Sequence, residues 1–230
     1  MIEEPPNIGP FNVNRVSDVL WRRAVEDSAN YAEEFMSDAL IFHDESKASM
    51  YYYALRNLRL EGLVAEFGVF QGYSVNLIAK KLPNQTIYGF DSFEGLPEDW
   101  AGATLSKGTF GLDGVMPEVL PNVTLVKGLF NETVEPWLKF QKDPFALLII
   151  DCDTYASTKS VLTPAIENHI KKGTLILFDE YFGYPRWRNH EFKIWKEIVS
   201  KHKIKYRYLA LNHLQVLVEV LSVGEIDESI

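Results

Sequence analysis

The sequence predicts an α/β fold: a mainly parallel sheet that ends in an antiparallel hairpin, with a helical cap at the amino terminus. From residue 63 onward, short runs of β-forming residues alternate with helical stretches, which is typical of βαβ crossovers. Residues 145–150 are apolar at every position, as expected of a strand that is covered on both faces. Residues 206–211 and 213–221 are β-rich and joined by a single residue, so they must pair antiparallel.

The elements follow from the same patterns. The predicted strands before the hairpin lie at residues 63–69, 86–93, 123–130, 146–153 and 174–181. The helical patterns between and after them cover residues 74–82, 133–140, 157–171 and 191–201.

The amino-terminal segment differs in character from the rest. Residues 1–12 are acidic and proline-rich and predict a loose arm, whereas residues 16–59 have a helical pattern, with a second helix at 49–60. We therefore assign residues 1–60 to an arm and helical cap and residues 61–230 to the sheet domain. Two interpretations of the cap remain open, a cover packed on the core or a lid that contacts a substrate.

Composition restricts the possible functions. The chain is 47% apolar and 24% charged, the proportions of a globular protein. Its formal net charge of −9 argues against a nucleic-acid partner, and its apolar runs are too short to span a bilayer. The single cysteine, Cys152, excludes a disulfide framework and fits a reducing compartment. We expect a cytoplasmic protein that binds neither nucleic acid nor membrane.

A glycine loop follows the first predicted strand, with the sequence EFGVFQGYS over residues 66–74. Glycine permits a tight turn and lets a ligand approach the backbone, and the helix that follows offers free N–H groups. The spacing is G-x-x-x-G, and Phe70 stands where a dinucleotide-binding loop needs glycine. The alternative is a strand-to-helix turn with a purely structural role.

The next two predicted strand ends also carry ligand-suited residues. Asp91, with Ser92 beside it, lies 19 residues after Gly72 and is placed to accept hydrogen bonds from ribose hydroxyls. A turn-forming role is the alternative for Asp91. Gly128 permits close approach, and Phe130 could pack on a flat ring. Three consecutive strand ends thus face the edge where open α/β sheets bind ligands.

Acidic residues end the fourth and fifth predicted strands, Asp151 and Asp153 in one case and Asp179 and Glu180 in the other. If the strands are parallel neighbours, these carboxylates meet and repel each other. A hard divalent cation such as Mg²⁺ or Ca²⁺ would relieve that repulsion. Separate caps and salt bridges at the strand ends are the alternative.

An aromatic run follows the fifth strand. Sugars and aromatic rings both stack on aromatic side chains, so we expect part of this run to form a substrate wall, with core packing as the alternative. The predicted substrate contacts are Tyr181, Tyr184, Arg186 and Trp187.

Five runs over residues 60–185 together resemble the macrocin O-methyltransferase family of class I enzymes. They are EFGVFQGYSVNLIA, YGFDSFEGLP, VKGLFNETV, IIDCDTYASTKSVL and LILFDEYFG. The resemblance implies a Rossmann-like class I methyltransferase sheet that binds S-adenosylmethionine, with its methionine end at the glycine loop and its adenine near residues 128–130. The cofactor-binding residues are then Glu66, Gly68, Gly72, Tyr73, Ser74, Asp91, Ser92, Gly128, Phe130 and Asp151.

The acidic residues are similar to those of metal-dependent O-methyltransferases, including the macrocin and catechol groups. That likeness implies that Asp151, Asp179 and Glu180 ligate Mg²⁺ or another hard divalent cation, which lowers the pKa of the acceptor hydroxyl. Catechol-type enzymes have a lysine base where this chain has Thr154. His190 is our first candidate for the base, since imidazole titrates near neutrality, and Asp153 is the second.

We therefore expect an S-adenosylmethionine- and Mg²⁺-dependent O-methyltransferase of natural product biosynthesis. Its acceptor would be a hydroxyl of a sugar or other small secondary metabolite, and we expect a homo-oligomer. One alternative is an NAD-type dinucleotide-binding oxidoreductase, which needs a G-x-G loop. The other is a non-catalytic cofactor-binding module of the same fold, for which Asp151→Ala would change nothing.

Overall fold

The computed structural model describes residues 15–43, 47–101 and 105–224, so the predicted arm at residues 1–12 lies outside it. The helices are α1 (Val16–Phe35), α2 (Lys47–Arg56), α3 (Tyr73–Lys81), α4 (Phe130–Leu138), α5 (Tyr155–Asn168) and α6 (Glu191–Lys201), with a 3₁₀ turn at Trp187–Asn189. The strands are β1 (Leu40–Ile41), β2 (Leu63–Phe67), β3 (Ile87–Asp91), β4 (Val123–Lys127), β5 (Phe145–Ile150), β6 (Leu175–Phe178), β7 (Lys205–Leu211) and β8 (Val216–Ser222).

The strands form one sheet in the order β1-β7-β8-β6-β5-β2-β3-β4. β8 lies between β6 and β7 and pairs antiparallel with both, whereas the other pairings are parallel. The predicted fold class is confirmed, including the terminal hairpin. The hairpin does not merely extend the sheet, because its second strand is inserted beside β6.

β5 is the central strand and is buried at all six positions. Leu148 and Ile150 pack in the apolar cluster formed with α1, α4, α5 and α6, whereas Leu147 and Ile149 pack in the cluster formed with α2 and α3. Successive side chains of a strand point to opposite faces, so an unbroken apolar run is what two covered faces require. The apolar sequence of β5 is therefore the one expected of a strand in the interior of the sheet.

The amino-terminal segment is part of the same core. β1 interrupts the predicted helical stretch 16–59 and pairs with β7, with Leu40 opposite Ala210. α2 begins at Lys47 and ends at Arg56, earlier than the predicted helix at 49–60. β1 thus joins the amino-terminal segment to the sheet. The division of the chain at residue 60 stays a prediction. Among the described helices, none combines the length and the apolar character that a bilayer crossing would need.

Most strands end earlier than predicted. β6 stops at Phe178, so Asp179 and Glu180 belong to the loop, and β5 stops at Ile150, so Asp151 does too. α4 begins at Phe130, inside the predicted third strand. Residues beyond the strand ends are released from the pleat, which would point alternate side chains to opposite faces, and can turn towards a shared space.

Candidate active site

A cavity of about 540 Å³ opens at the carboxyl ends of the central strands, a size typical of small-molecule sites. It lies where open α/β sheets bind ligands. The sequence-predicted residues that line it are Gly68, Tyr73, Ser74, Asp91, Ser92, Gly128, Phe130, Asp151, Asp153 and Glu180. Glu66, Gly72 and Asp179 are not part of its wall but lie within or next to the loops that form it.

The glycine loop is built by backbone constraints at two positions. Gly68 has φ of 104°, and a Cβ placed there would lie 1.9 Å from the carbonyl oxygen of Asp151. Gly72 has φ of 80° and immediately precedes α3. Only glycine adopts such angles readily. At Gly68 the missing side chain also lets the chain after β2 pass close to the backbone of Asp151, which follows β5.

Asp91 holds this loop in place. One carboxylate oxygen accepts hydrogen bonds from the backbone N–H groups of Val69 and Phe70, each at 2.8 Å, and the other accepts from Phe93 at 2.7 Å. The turn-forming role considered for Asp91 is therefore real. A carboxylate offers roughly four acceptor positions, so Asp91, which also lines the cavity, keeps capacity for a ligand hydroxyl.

Glu66 is completely buried beneath the loop, and neither carboxylate oxygen has a hydrogen-bond partner among the described residues. Burial raises its pKa to about 8, and the Ser74 side chain opposes that rise. Buried polar groups are normally paired, so a carboxyl this poorly paired favours its protonated form.

Asp151, Asp179 and Glu180 converge as predicted. Each offers a carboxylate oxygen, and these oxygens lie within 4.8 Å of one another. Burial and the charge of Asp179 raise the pKa values of Asp151 and Glu180 well above their usual range. Glu180 Oε2 is buried without a hydrogen-bond partner among the described residues.

Lys47, which the sequence analysis did not single out, reaches this acidic cluster from α2. Its ammonium donates a hydrogen bond to Asp179 Oδ2 and lies 3.7 Å from Glu180 Oε1. Burial alone would lower the pKa of Lys47, but the charges of Asp151, Asp179 and Glu180 outweigh it and raise the pKa. No sequence pattern could reveal this contact, since Lys47 precedes Asp179 by 132 residues.

Two further missed residues fix the loops that carry the acids. The carboxylate of Glu191 accepts hydrogen bonds from the backbone N–H groups of Cys152 and Glu180, both at 3.2 Å, and so joins the ends of β5 and β6. Gln215 donates a side-chain hydrogen bond to Asp179 Oδ1 at 2.6 Å. Both residues orient the cluster without lining the cavity.

Asp153 lines the cavity although only 8% of its surface is exposed. Burial and the charge of Asp179 raise its pKa to about 7, while Lys47 opposes the rise. Its φ of 59° is unusual for an aspartate and turns the chain sharply after β5. A carboxylate with a pKa near neutrality can exchange a proton with a bound ligand.

The structure does not support His190 as the base. Its ring is buried, and Nε2 lies 2.7 Å from the carbonyl oxygen of Ala101. Burial also lowers its pKa. His190 does not line the described cavity. Trp100 does, and its ring centroid lies 6.3 Å from that of His190.

The predicted substrate contacts Tyr181, Tyr184, Arg186 and Trp187 do not line the described cavity, and their contact with a substrate stays a prediction. The phenol of Tyr181 is buried and lies 2.8 Å from that of Tyr208. The Tyr184 hydroxyl donates to the carbonyl of Glu180, and Trp187 packs edge-to-face on Tyr31 of α1. Core packing, the alternative interpretation, accounts for these rings.

Part of the cap lines the cavity instead. Lys47 and Tyr51 lie four residues apart on α2, hence on one face of the helix, and both belong to the cavity wall. The cap therefore packs on the core and also contributes residues to the cavity wall. The aromatic residues Trp100 and Phe110 close another side of the cavity.

The sheet with one reversed strand and the glycine-loop cavity at its carboxyl edge are the features of a Rossmann-like methyltransferase fold. A family model described as a methyltransferase domain matches residues 65–181, just over half of the chain. The chain belongs to that methyltransferase family. No curated protein sequence matches it.

Solved structures of other proteins have the same fold. The calicheamicin methyltransferase CalS11 is similar over 91% of this chain and 95% of its own, with a TM-score of 0.62 and 22% identity. The apo form of CalS11, described as a TDP-rhamnose 3′-O-methyltransferase, has a TM-score of 0.56, 21% identity, and coverage of 91% and 96%. An O-methyltransferase from Bacillus cereus in complex with SAH has a TM-score of 0.53, 15% identity, and coverage of 89% and 91%. At these identities the likeness concerns the fold.

Proposed function

We propose that this protein is a Mg²⁺-dependent O-methyltransferase of the macrocin type that methylates a hydroxyl of a sugar or other small secondary metabolite. The observation that carries the proposal is the convergence of Asp151, Asp179 and Glu180 within 4.8 Å at the edge of the cavity. A methyl transfer to oxygen needs the hydroxyl to lose its proton, and an oxygen-rich cation site beside the cofactor cavity serves that purpose.

The residues present fit both absent groups. Asp91 has spare acceptor capacity for ribose hydroxyls, and the loop at Gly68 leaves its backbone open towards the cavity. S-adenosylmethionine held there would supply the methyl group. An all-oxygen set with one unpartnered buried oxygen, Glu180 Oε2, suits Mg²⁺, which would polarise the acceptor hydroxyl.

Asp153 is the base that the geometry favours in place of His190. It lines the cavity next to Asp151 and is not one of the three converging carboxylates, so it is free to take the proton of an acceptor hydroxyl held at the cation. Glu191 keeps the loop after β5 in register with the loop after β6, so Asp153 and the acidic cluster stay in a fixed relation. Catalysis then consists mainly of positioning.

The charge of the cavity restricts the acceptor. Lys47 is the one basic residue in its described wall, against five acidic residues: Asp91, Glu98, Asp151, Asp153 and Glu180. Asp91 and Glu98 lie outside the acidic cluster, so a phosphate-bearing acceptor would meet repulsion from charges that a bound cation does not neutralise. We therefore propose an acceptor without phosphate, such as a neutral or amine-bearing glycoside, in contrast to the nucleotide-sugar substrate named for CalS11.

The test has a binding stage and a turnover stage. In calorimetric titration we expect S-adenosylhomocysteine to bind and NAD⁺ not to bind, and Asp91→Asn to weaken binding where the exposed control Asp113→Asn does not. Transfer of a labelled methyl group to a panel of glycosides should require Mg²⁺ and be lost in Glu180→Gln, with cofactor binding kept. Binding of NAD⁺ alone would exclude methyl transfer, and full turnover by Glu180→Gln would exclude the metal role.

A further inference from the structure

We propose that Lys47 is a resident counter-ion of the acidic cluster and that a divalent cation must displace it to bind. This inference rests on the proposed cation site, and it concerns a residue of α2 that lies far from the acids in sequence. Lys47 would thus set how readily the site takes a cation, and cation binding would free one end of α2 from the cluster.

The geometry at Asp179 carries the proposal. Asp179 is fully buried, and both of its carboxylate oxygens are already engaged, Oδ1 by Gln215 and Oδ2 by Lys47. Gln215 is itself buried and is held by Asn212, whose side-chain amide donates to Gln215 Oε1 at 2.8 Å. Of the two contacts, the one with Lys47 is therefore the one that can yield to an ion.

Charge supports displacement over coexistence. The Lys47 ammonium lies within ion-pair distance of two of the three predicted ligands, so a divalent cation bound to them would sit a few ångströms from another positive charge. Two like charges that close disfavour each other strongly in a buried site. A divalent cation releases the protons of the carboxyl groups that ligate it, and the three carboxylates then exceed the single lysine charge.

The lysine is also placed to withdraw. It is the first residue of α2, and 44% of its side chain is exposed, whereas Asp179 is inaccessible. A lysine side chain can swing its ammonium into water by rotation about its own side-chain bonds, which leaves the backbone hydrogen bonds of the helix intact. Tyr51, one turn further along α2, stays packed in the cavity wall.

The experiment compares Lys47→Met with Lys139→Met, an exposed lysine at the end of α4 that serves as the matched control. Each protein, stripped of metal with a chelator, is titrated with Mn²⁺, and free Mn²⁺ is followed by its paramagnetic resonance signal. We expect Lys47→Met to bind Mn²⁺ at least about tenfold more tightly than the wild type and the control, as expected for removal of a like charge at this distance.

Thermal unfolding with chelator gives a second readout that does not depend on turnover. The metal-free Lys47→Met protein should melt below the wild type, because its acidic cluster has lost its counter-ion, and Mn²⁺ should raise its melting temperature more than that of the wild type. Equal or weaker Mn²⁺ binding by Lys47→Met would overturn the role of Lys47 alone. Absence of Mn²⁺ binding in every variant would instead overturn the cation site on which the proposal rests, while S-adenosylhomocysteine titration reports separately on the cofactor cavity.

Discussion

Several residues around the cavity adopt left-handed backbone angles that only glycine takes up without cost. Phe70 and Asp153, both in the cavity wall, have φ of 48° and 59°. A left-handed angle costs a non-glycine residue roughly 1–2 kcal/mol. At Phe70 the backbone N–H is held by Asp91, so the turn is over-determined by its surroundings. The strand ends are therefore rigid turns that carry side chains and backbone groups towards one space.

Gly68 should be the least replaceable of these residues. Gly68→Ala forces a Cβ to within 1.9 Å of a backbone oxygen and keeps a φ of 104°, so the chain must shift at the contact between β2 and β5. We expect a loss of about 3 kcal/mol or more in the free energy of unfolding. Gly108→Ala is the matched control, since it has φ of 84° but nothing within 4 Å of the new Cβ.

Urea denaturation measures both variants. Gly108→Ala reports the backbone cost alone, roughly 1–2 kcal/mol, and the difference between the two variants reports the clash with the Asp151 carbonyl. Equal losses in the two variants would mean that β2 and β5 can separate locally. In that case the close approach at Gly68 would not be a constraint on the cavity.

At the level of elements, the sequence predicts the strands and helices that short-range patterns determine. The apolar run of β5, the β-rich hairpin and the polar residues after each strand all follow from periodicity, and they placed Asp91, Asp151 and Asp179 at one edge of the sheet. The position of α2 does not follow, because nothing near Lys47 or Tyr51 refers to acids more than a hundred residues away. The insertion of β8 beside β6 is likewise a long-range choice.

The aromatic run after β6 misled for a related reason. Aromatic side chains serve equally as core and as ligand contacts, and only the partner surface decides between the two. Here α1 supplies that surface. Tyr31 packs on Trp187 and Phe192, and Arg188 pairs with Asp27 of α1 through two hydrogen bonds. In this structure the rings of the run pack α1 against the sheet and do not line the described cavity.

Comparison of Trp187→Ala with Tyr73→Ala tests this division of labour between the two elements. Trp187 is buried under α1, so its truncation should cost about 3–5 kcal/mol of the free energy of unfolding and leave the cofactor affinity of the folded protein unchanged. Tyr73 is 69% exposed and lines the cavity, so its truncation should change stability by less than about 0.5 kcal/mol and weaken cofactor binding. Urea denaturation and calorimetry measure the two effects, and the opposite pattern would show that Trp187, and not Tyr73, contributes to cofactor binding.

For the molecule as a whole, acidic side chains are buried as well as exposed. The formal net charge is −9, and Glu66, Asp153, Glu180 and Glu191 are all buried near one edge of the sheet. Their pKa values are raised chiefly by burial, so folding requires several of them to hold a proton or find a cation. The site is thus a destabilising feature that the surrounding apolar core supports, as is common for functional sites.

This charge arrangement fixes the sign of the pH dependence of stability without metal. Glu66 has a pKa of about 8 in the folded protein against a reference value of 4.5, and Asp153 about 7 against 3.8, so the folded state binds more protons than the unfolded state between those values. The free energy of unfolding in chelator should therefore fall as pH rises from about 5 to about 8. Glu66→Gln removes one of these protons, and its curve should be flatter, with higher stability than the wild type at pH about 8. Urea denaturation across this pH range measures how the free energy of unfolding changes with pH. Glu61→Gln, at an exposed position, is the control. A wild-type slope that Glu66→Gln leaves unchanged would show that Glu66 finds a partner in solution and is ionised at neutral pH without penalty.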